Sequence, residues 1–385
     1  MSKDVSVESG AANSTDLAER FVALQEFVEV ARTRLPAQVW GYVLGATETE
    51  TTQLRNRQAI ENLALRPRVL NDVSEVDSRG NLLGRPYRLP VLLAPIGGLE
   101  SFNERGALAV ADSAAAFNVP MMLSSVSRWS MDDAMGQRTA RELALIYQLY
   151  VRDGPAEIDR LIEHAQALGS PAFCFTVDSA VYSRRERDIV ARFVKPWRAS
   201  SQGEARDNQA SFNWADIRRL RDKHQMPFIL KGIATAEDAA LAVEHGIDVI
   251  YVSNHGGRQL DHGQGTMAIL PEVVRAVNKR AKIVVDGGFC RGTDLVKALA
   301  LGADFVGLGR MVCFALAAAG APGIVRMLEI LEDETRIALA LLGARSPAEL
   351  NASHVVNEGH APAPVSALSA FPLLDQGLRP ADLDG

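Results

Sequence analysis

The segment Ser253-Asn254-His255-Gly256-Gly257-Arg258-Gln259-Leu260-Asp261 packs several reactive groups into one short stretch. An imidazole, with an ordinary pKa of about 6.5, is the natural general base near neutral pH. A carboxylate beside it would hold its tautomer and stabilise the imidazolium, and Asp178 is the candidate for that carboxylate. Three residues after His255, Arg258 carries a planar fork that matches a substrate carboxylate. Gln148 and Tyr150 stand two apart, as do Thr176 and Asp178, so each pair shares one face of an extended strand. Lys231 ends another apolar run. Glycines close two more, in Asp286-Gly287-Gly288 and Gly307-Leu308-Gly309-Arg310. Backbone amides exposed by such glycines, with an arginine nearby, form the phosphate-binding arrangement common in β/α barrels.

The elements that must position these residues are short apolar runs. Eight occur: VLLAP (91–95), PMMLSS (120–125), LALIYQLY (143–150), AFCFTVD (172–178), PFILKG (227–232), DVIYVSN (248–254), KIVVDGG (282–288) and DFVGLGR (304–310). Helical patterns follow several of them, over 104–117, 156–168, 236–245, 271–280 and 293–301. Such alternation means parallel strands buried on both faces, and eight units predict a closed (β/α)8 TIM barrel over residues 89–350. The polar, Arg-rich link 179–214 reads as an active-site loop. Residues 15–88 read as an N-terminal helical extension, with Phe21, Leu24, Phe27 and Val28 on one face. Pro36 opens a second short helix there, and Gly45 ends it. Residues 1–14 read as a disordered tail, and the proline-bearing stretch 351–385 as a tail that wraps the surface.

Composition narrows the function classes. The chain has 385 residues, 47% hydrophobic and 23% charged, which is globular rather than disordered. A net charge of −6 argues against broad nucleic-acid or anionic-membrane binding, which need a basic footprint. Cys174, Cys290 and Cys313 are too scattered for a disulfide framework, and no metal-ligand spacing occurs. The polar N-terminus, with no apolar h-region, reads as lacking a signal peptide, and the apolar stretch 311–325 reads as too short for a membrane helix. These readings predict a soluble cytoplasmic protein without membrane insertion. His164, His224, His245, His262, His354 and His360 read as surface residues.

SNHGGRQLD and DGG-x-x-RGTD-x-x-KALALGA, with YQLY (147–150), TVD (176–178) and RRERD (184–188) in order, carry a resemblance. Over roughly residues 20–350 the chain resembles the FMN-dependent 2-hydroxy-acid oxidase/dehydrogenase family, which includes glycolate oxidase, lactate oxidase and mandelate dehydrogenase. Segments 211–222 and 357–364 look most like mandelate dehydrogenase. The resemblance implies His255 as the base that starts oxidation of the substrate carbinol, paired with Asp178. It implies Arg258 and Arg185 on the substrate carboxylate and Tyr150 on the hydroxyl or developing charge. Lys231 would stabilise reduced FMN at its N1–C2=O edge. Ser124, Gln148 and Thr176 would hydrogen-bond the isoalloxazine, with Pro95, Ile96 and Gly97 along the ring and Ser253 near the flavin tail. Asp286, Gly287, Gly288, Arg291, Gly309 and Arg310 would hold ribityl and phosphate. Electrons would pass on to O2, a quinone or another acceptor, and a homotetramer is implied.

Departures from the family pattern bear on the substrate. Trp40 aligns with a tyrosine that helps bind the substrate carboxylate, and Ile96 replaces a threonine. Cys290 stands where an arginine approaches the phosphate, with Arg291 and Arg310 as the compensating cations. Gly97 resembles mandelate dehydrogenase, where many oxidases have alanine. Together with Trp40 it points to an aromatic or bulky 2-hydroxy acid. A related flavoenzyme acting on a non-standard biosynthetic substrate, and a flavin-binding barrel without turnover, are the alternatives.

Overall fold

A computed structural model describes residues 14–136, 143–194, 208–359 and 361–374. The tail expected over 1–14 lies almost wholly outside the described residues, as do 195–207 of the long loop and His360. Four helices open the described chain: α1 (Ser14–Arg20), α2 (Leu24–Arg34), α3 (Ala37–Leu44) and α4 (Thr51–Glu61). Pro36 and Gly45 flank α3 as its N-cap and C-cap, at the ends the sequence marks. A short strand β1 (Leu63–Leu65) and a hairpin of β2 (Gly80–Leu82) and β3 (Arg85–Tyr87) follow.

The barrel begins with β4 (Val91–Leu93), α5 (Ala107–Phe117), β5 (Met121–Ser124), α6 (Met131–Gly136) and β6 (Leu145–Leu149). It continues with α7 (Pro155–Ala167), β7 (Phe173–Thr176), α8 (Glu186–Val190), α9 (Trp214–Lys223) and β8 (Phe228–Ile233). Then come α10 (Ala236–Glu244), β9 (Val249–Val252), α11 (Thr266–Val277), β10 (Lys282–Val285), α12 (Gly292–Ala300), β11 (Phe305–Leu308) and α13 (Arg310–Leu341). Each of the eight apolar runs holds one strand of a closed parallel barrel, and β11 pairs with β4 to complete it. The fold is therefore a (β/α)8 barrel. Alternate strand residues, among them Leu92, Met122, Ile146, Ile229, Val249 and Val284, fill the interior. The β2–β3 hairpin closes its lower end, where Tyr87 meets Phe305 edge-on at 5.8 Å.

Three features depart from the sequence reading. Helix α11 begins at Thr266 and runs through Pro271, because Met267, Leu270, Val273 and Val277 form one buried face. Helix α13 continues to Leu341 and by length and composition could cross a membrane, but 61% of its most apolar window is buried inside the protein. It packs on α2 and α5. A break at Ala319 and Gly320 frees carbonyls, which accept from Arg34 Nη1 (Ala318 O, 2.5 Å) and Ser113 Oγ (Ala321 O, 3.0 Å). Finally, His224 and His354 are buried rather than superficial. His224 Nε2 lies 2.9 Å from Asp159, which Arg219 and Lys223 also grip. Burial alone would raise the Asp159 pKa, but the hydrogen bonds from Lys223, His224 and Arg219 outweigh it and hold it near about 2.

The C-terminal tail is tied down by β12 (Val355–Asn357), which pairs antiparallel with β1. Beyond it, Phe371 is buried in the apolar layer that surrounds the barrel.

Candidate active site

The reactive groups gather at the C-terminal ends of the barrel strands. His255 follows β9 with φ +60°, and Gly256 and Gly257 continue in the left-handed region. A Cβ on Gly257 would lie 2.6 Å from the Gln53 backbone nitrogen, so the loop can seat against α4 only as glycine. Gly232 plays the same part beside Lys231: with φ +113°, its Cβ would lie 2.7 Å from that of Asp178.

Asp178 then reaches His255. The imidazole Nδ1 is 3.0 Å and 3.2 Å from the two carboxylate oxygens, and Nε2 is 3.1 Å from the Tyr150 hydroxyl. An ionised carboxylate only accepts, so Nδ1 carries the proton and Nε2 presents its lone pair, to which Tyr150 donates. Burial drives the His255 pKa below 6.5, and the Asp178 charge offsets only part of that. Burial pushes Asp178 up, yet attraction to His255 and Lys231 and the His255 hydrogen bond outweigh it and hold it below the usual range. Burial raises the Tyr150 hydroxyl to about 12, so it stays protonated. The result is a neutral base held between an anion and a hydroxyl.

Lys231 stands beside this group, buried, and donates to Ser253 Oγ at 2.9 Å. Ser253 in turn donates to Asp286 Oδ1 at 2.6 Å, and Asp286 Oδ2 lies 3.5 Å from the ammonium. Burial lowers the Lys231 pKa, but Asp286 and Asp178 outweigh it, and the amine remains charged.

Helix α3 organises the arginines. The last carbonyls of a helix lack intrahelical partners and carry its negative end. Arg258 Nη1 donates to Tyr42 O (2.7 Å) and Gly45 O (2.6 Å). Arg310 donates to Val43 O (2.9 Å), Gly45 O (3.1 Å) and Gly256 O (3.2 Å). Among the described residues neither has a carboxylate within ion-pair distance. Burial lowers both pKa values, with repulsion from Arg185 adding to it at Arg258 and repulsion from Arg258 at Arg310, which falls to about 10. Two partly buried cations with no carboxylate in contact among the described residues make an anion-binding corner. Arg185 donates to Arg258 O at 3.2 Å and lies over the Tyr182 ring.

One cavity joins these groups. Tyr150, Lys231, His255, Arg258 and Arg185 line it, as do Pro95, Ile96 and Gly97. Asp286, Gly287, Gly288, Gly309 and Arg310 line its other part. Asp178 and Ser253 stand behind His255 and Lys231. Ser124, Gln148 and Thr176 are buried, and both amide atoms of Gln148 and the Thr176 hydroxyl have no hydrogen-bond partner among the described residues.

Two expected residues fall elsewhere. Trp40 packs on Phe314 with ring centroids 5.7 Å apart and does not line the cavity. Tyr42 does, with its hydroxyl donating to Gly97 O at 3.2 Å and its ring under the Arg258 guanidinium. Positions two apart on a helix point about 200° apart, so only one of the pair can face the barrel mouth. Arg291 is drawn away to Glu334 on α13, 2.6 Å distant. Arg57 of α4 lines the cavity in its place, held by Asp294 at 2.7 Å and 2.9 Å and donating to Gly288 O. Periodicity marks residues 40 and 42 as opposite but does not tell which face meets the barrel. Arg57 carries no sequence signal, because its partner lies 237 residues away.

The family model for FMN-dependent dehydrogenases matches residues 31–357. The chain belongs to that family. A peroxisomal (S)-2-hydroxy-acid oxidase of Oryza sativa subsp. japonica is 40% identical over 356 residues, covering 88% of this chain and 96% of the relative. An L-lactate oxidase of Nostoc sp. is 36% identical, covering 86% and 97%. Among solved structures, mandelate oxidase superposes with a TM-score of 0.80 at 34% identity, covering 87% of this chain and 98% of the other.

The residues present fit the cofactor of an FMN-dependent dehydrogenase. The orphaned amide of Gln148 and hydroxyl of Thr176 offer both donor and acceptor to a heterocycle with an amide-like edge. Arg310 and Arg57, beside the glycine turns at Gly287 and Gly288, suit a phosphate.

Proposed function

We propose that this FMN-dependent dehydrogenase oxidises the Cα–OH of an (S)-2-hydroxy acid, with an aromatic or bulky side chain, to the 2-keto acid. One observation carries the reading: a neutral imidazole, with Nδ1 on Asp178 and Nε2 accepting from Tyr150, lines the same cavity as the Arg258 guanidinium, which has no carboxylate in ion-pair contact among the described residues. Arg258 and Arg185 bind the substrate carboxylate, and Tyr42 completes that end of the site. Tyr150 holds the substrate hydroxyl near His255. His255 Nε2 takes the departing proton, and Asp178 stabilises the imidazolium that forms. Bound FMN supplies the two-electron acceptor for the carbinol carbon. Ser124, Gln148 and Thr176 would hold its ring, and Arg310 and Arg57 its phosphate. Lys231 would place a fixed positive charge beside the bound FMN and so favour its acceptance of electrons.

The cavity lining includes the apolar side chains of Ile96, Phe102, Val126, Val181 and Tyr182, against which an aromatic substrate side chain would pack. This apolar wall supports the aromatic preference that Trp40, lying outside the cavity, does not. The relatives named as oxidases support O2 as the acceptor, and those named peroxisomal set a second compartment beside the cytoplasm. The homotetramer implied by resemblance belongs to the same proposal, and light scattering of the holoenzyme reads it.

Anaerobic mixing of yellow protein with candidate acids tests the reaction. Flavin absorbance is expected to bleach faster with (S)-mandelate than with glycolate or L-lactate. Protein that keeps its FMN yet bleaches with no (S)-2-hydroxy acid would refute the proposal.

A further inference from the structure

One buried polar group close to the cavity has no part in the chemistry above. Tyr251, on β9, points into the barrel and is fully buried, and its hydroxyl has no well-formed hydrogen bond among the described residues. Two neighbours fix its place. The Lys231 ammonium lies 5.2 Å from the centre of its ring. On β11, a Cβ on Gly307 would lie 1.8 Å from the Tyr251 hydroxyl oxygen and clash with it. The hydroxyl therefore occupies the slot that an absent side chain leaves open, and Gly307 itself lines the cavity.

A buried hydroxyl left unbonded is costly, so its retention calls for a partner in the working state. Asp286 is the acidic neighbour and draws the phenol proton, but its carboxylate also accepts from Ser253 and faces Lys231, and no well-formed hydrogen bond joins it to the Tyr251 hydroxyl. Burial and the nearby Asp286 charge keep the phenol protonated, so it is available as a donor. The Gln148 amide and Thr176 hydroxyl share this condition: buried, polar and unbonded. We propose that the Tyr251 hydroxyl, seated in the Gly307 slot beside Lys231, is a hydrogen-bond partner of bound FMN at the floor of the cavity. This rests on the FMN-dependent reading of the site and adds a contact from the barrel interior.

The test is Tyr251→Phe, which keeps the ring under Lys231 and removes only the oxygen. FMN affinity is read by fluorescence titration, and thermal midpoints are measured for the apoprotein and the holoenzyme. The expected result is FMN binding weakened about fivefold, the ordinary worth of one neutral hydrogen bond. The apoprotein should keep or raise its midpoint, since an unbonded polar atom has gone, whereas the holoenzyme should lose stability. Equal loss in both forms with unchanged affinity would mean that the hydroxyl bonds Asp286 or a buried water, and would overturn the proposal. Unchanged affinity and midpoints would overturn it too. Gly307→Ala supplies a second measurement. Its methyl competes with the hydroxyl, so FMN binding should fall, and the double variant with Tyr251→Phe should recover part of it. A Gly307→Ala protein that binds FMN normally would also refute the placement. Wild-type protein that binds no FMN at all would instead strike at the cofactor reading itself.

Discussion

Replacing Asp178 by asparagine isolates the electrostatic part of the proposed base. The carboxylate accepts from His255 Nδ1 at 3.0 Å and 3.2 Å in a buried setting, and a charge-assisted bond of that kind contributes about 1.5–3 kcal/mol. That support grows as the imidazole becomes imidazolium, so its loss falls on the transition state. At about 1.4 kcal/mol per tenfold, flavin reduction should slow by roughly ten- to a hundredfold. The pH profile carries a second signature. His255 must be neutral to act as a base, and burial already holds its pKa below 6.5. Asp178 is the largest influence in the opposite direction, so removing it lowers the pKa further. The acidic limb of the reduction rate should therefore move to lower pH while the plateau drops. Anaerobic stopped-flow bleaching between pH 4.5 and 8 (roughly spanning the ordinary histidine pKa) measures both quantities. A variant reduced within about twofold of wild type, with an unmoved acidic limb, would show that the pair does not work as a base and its stabiliser.

Two further substitutions probe the anion corner and the wall facing the substrate. Arg258→Lys keeps the charge but loses the planar fork and the bonds to the α3 carbonyls, so the substrate KM should rise by about ten- to a hundredfold with FMN still bound. An unchanged KM would remove Arg258 from carboxylate binding. Tyr42→Phe should raise KM several-fold while Trp40→Phe leaves it unchanged, because only Tyr42 lines the cavity. The reverse ranking in steady-state kinetics would mean that Trp40 is the substrate-facing residue.

Much of the barrel was legible because parallel strands buried on both faces read as unbroken apolar runs, and all eight runs became strands. The short pieces were not legible. Strands β1, β2, β3 and β12 have three residues each, too few for a period to show, and Pro86 sits inside one of them. Helix α11 was misplaced at its start because a proline ordinarily opens a helix, yet tertiary burial of its apolar face carries the helix through Pro271. His224 was read as a surface group because nothing local reveals that Asp159, on another helix, waits beneath it.

The site divides in the same way. Residues at strand ends could be placed from sequence, because strand alternation decides which side chains point inward, and the glycines of the SNHGG and DGG segments announced tight turns. Sequence alone thus determined the barrel and the set of groups meeting at its mouth. Tertiary structure decided which residues outside the strands join them. Tyr42 rather than Trp40, and Arg57 rather than Arg291, face the cavity because α3 and α4 dock against the loop after β9 and the turn after β10. The physical reason is range: periodicity is a property of neighbours along the chain, whereas the rotation of a docked helix is set by contacts hundreds of residues away.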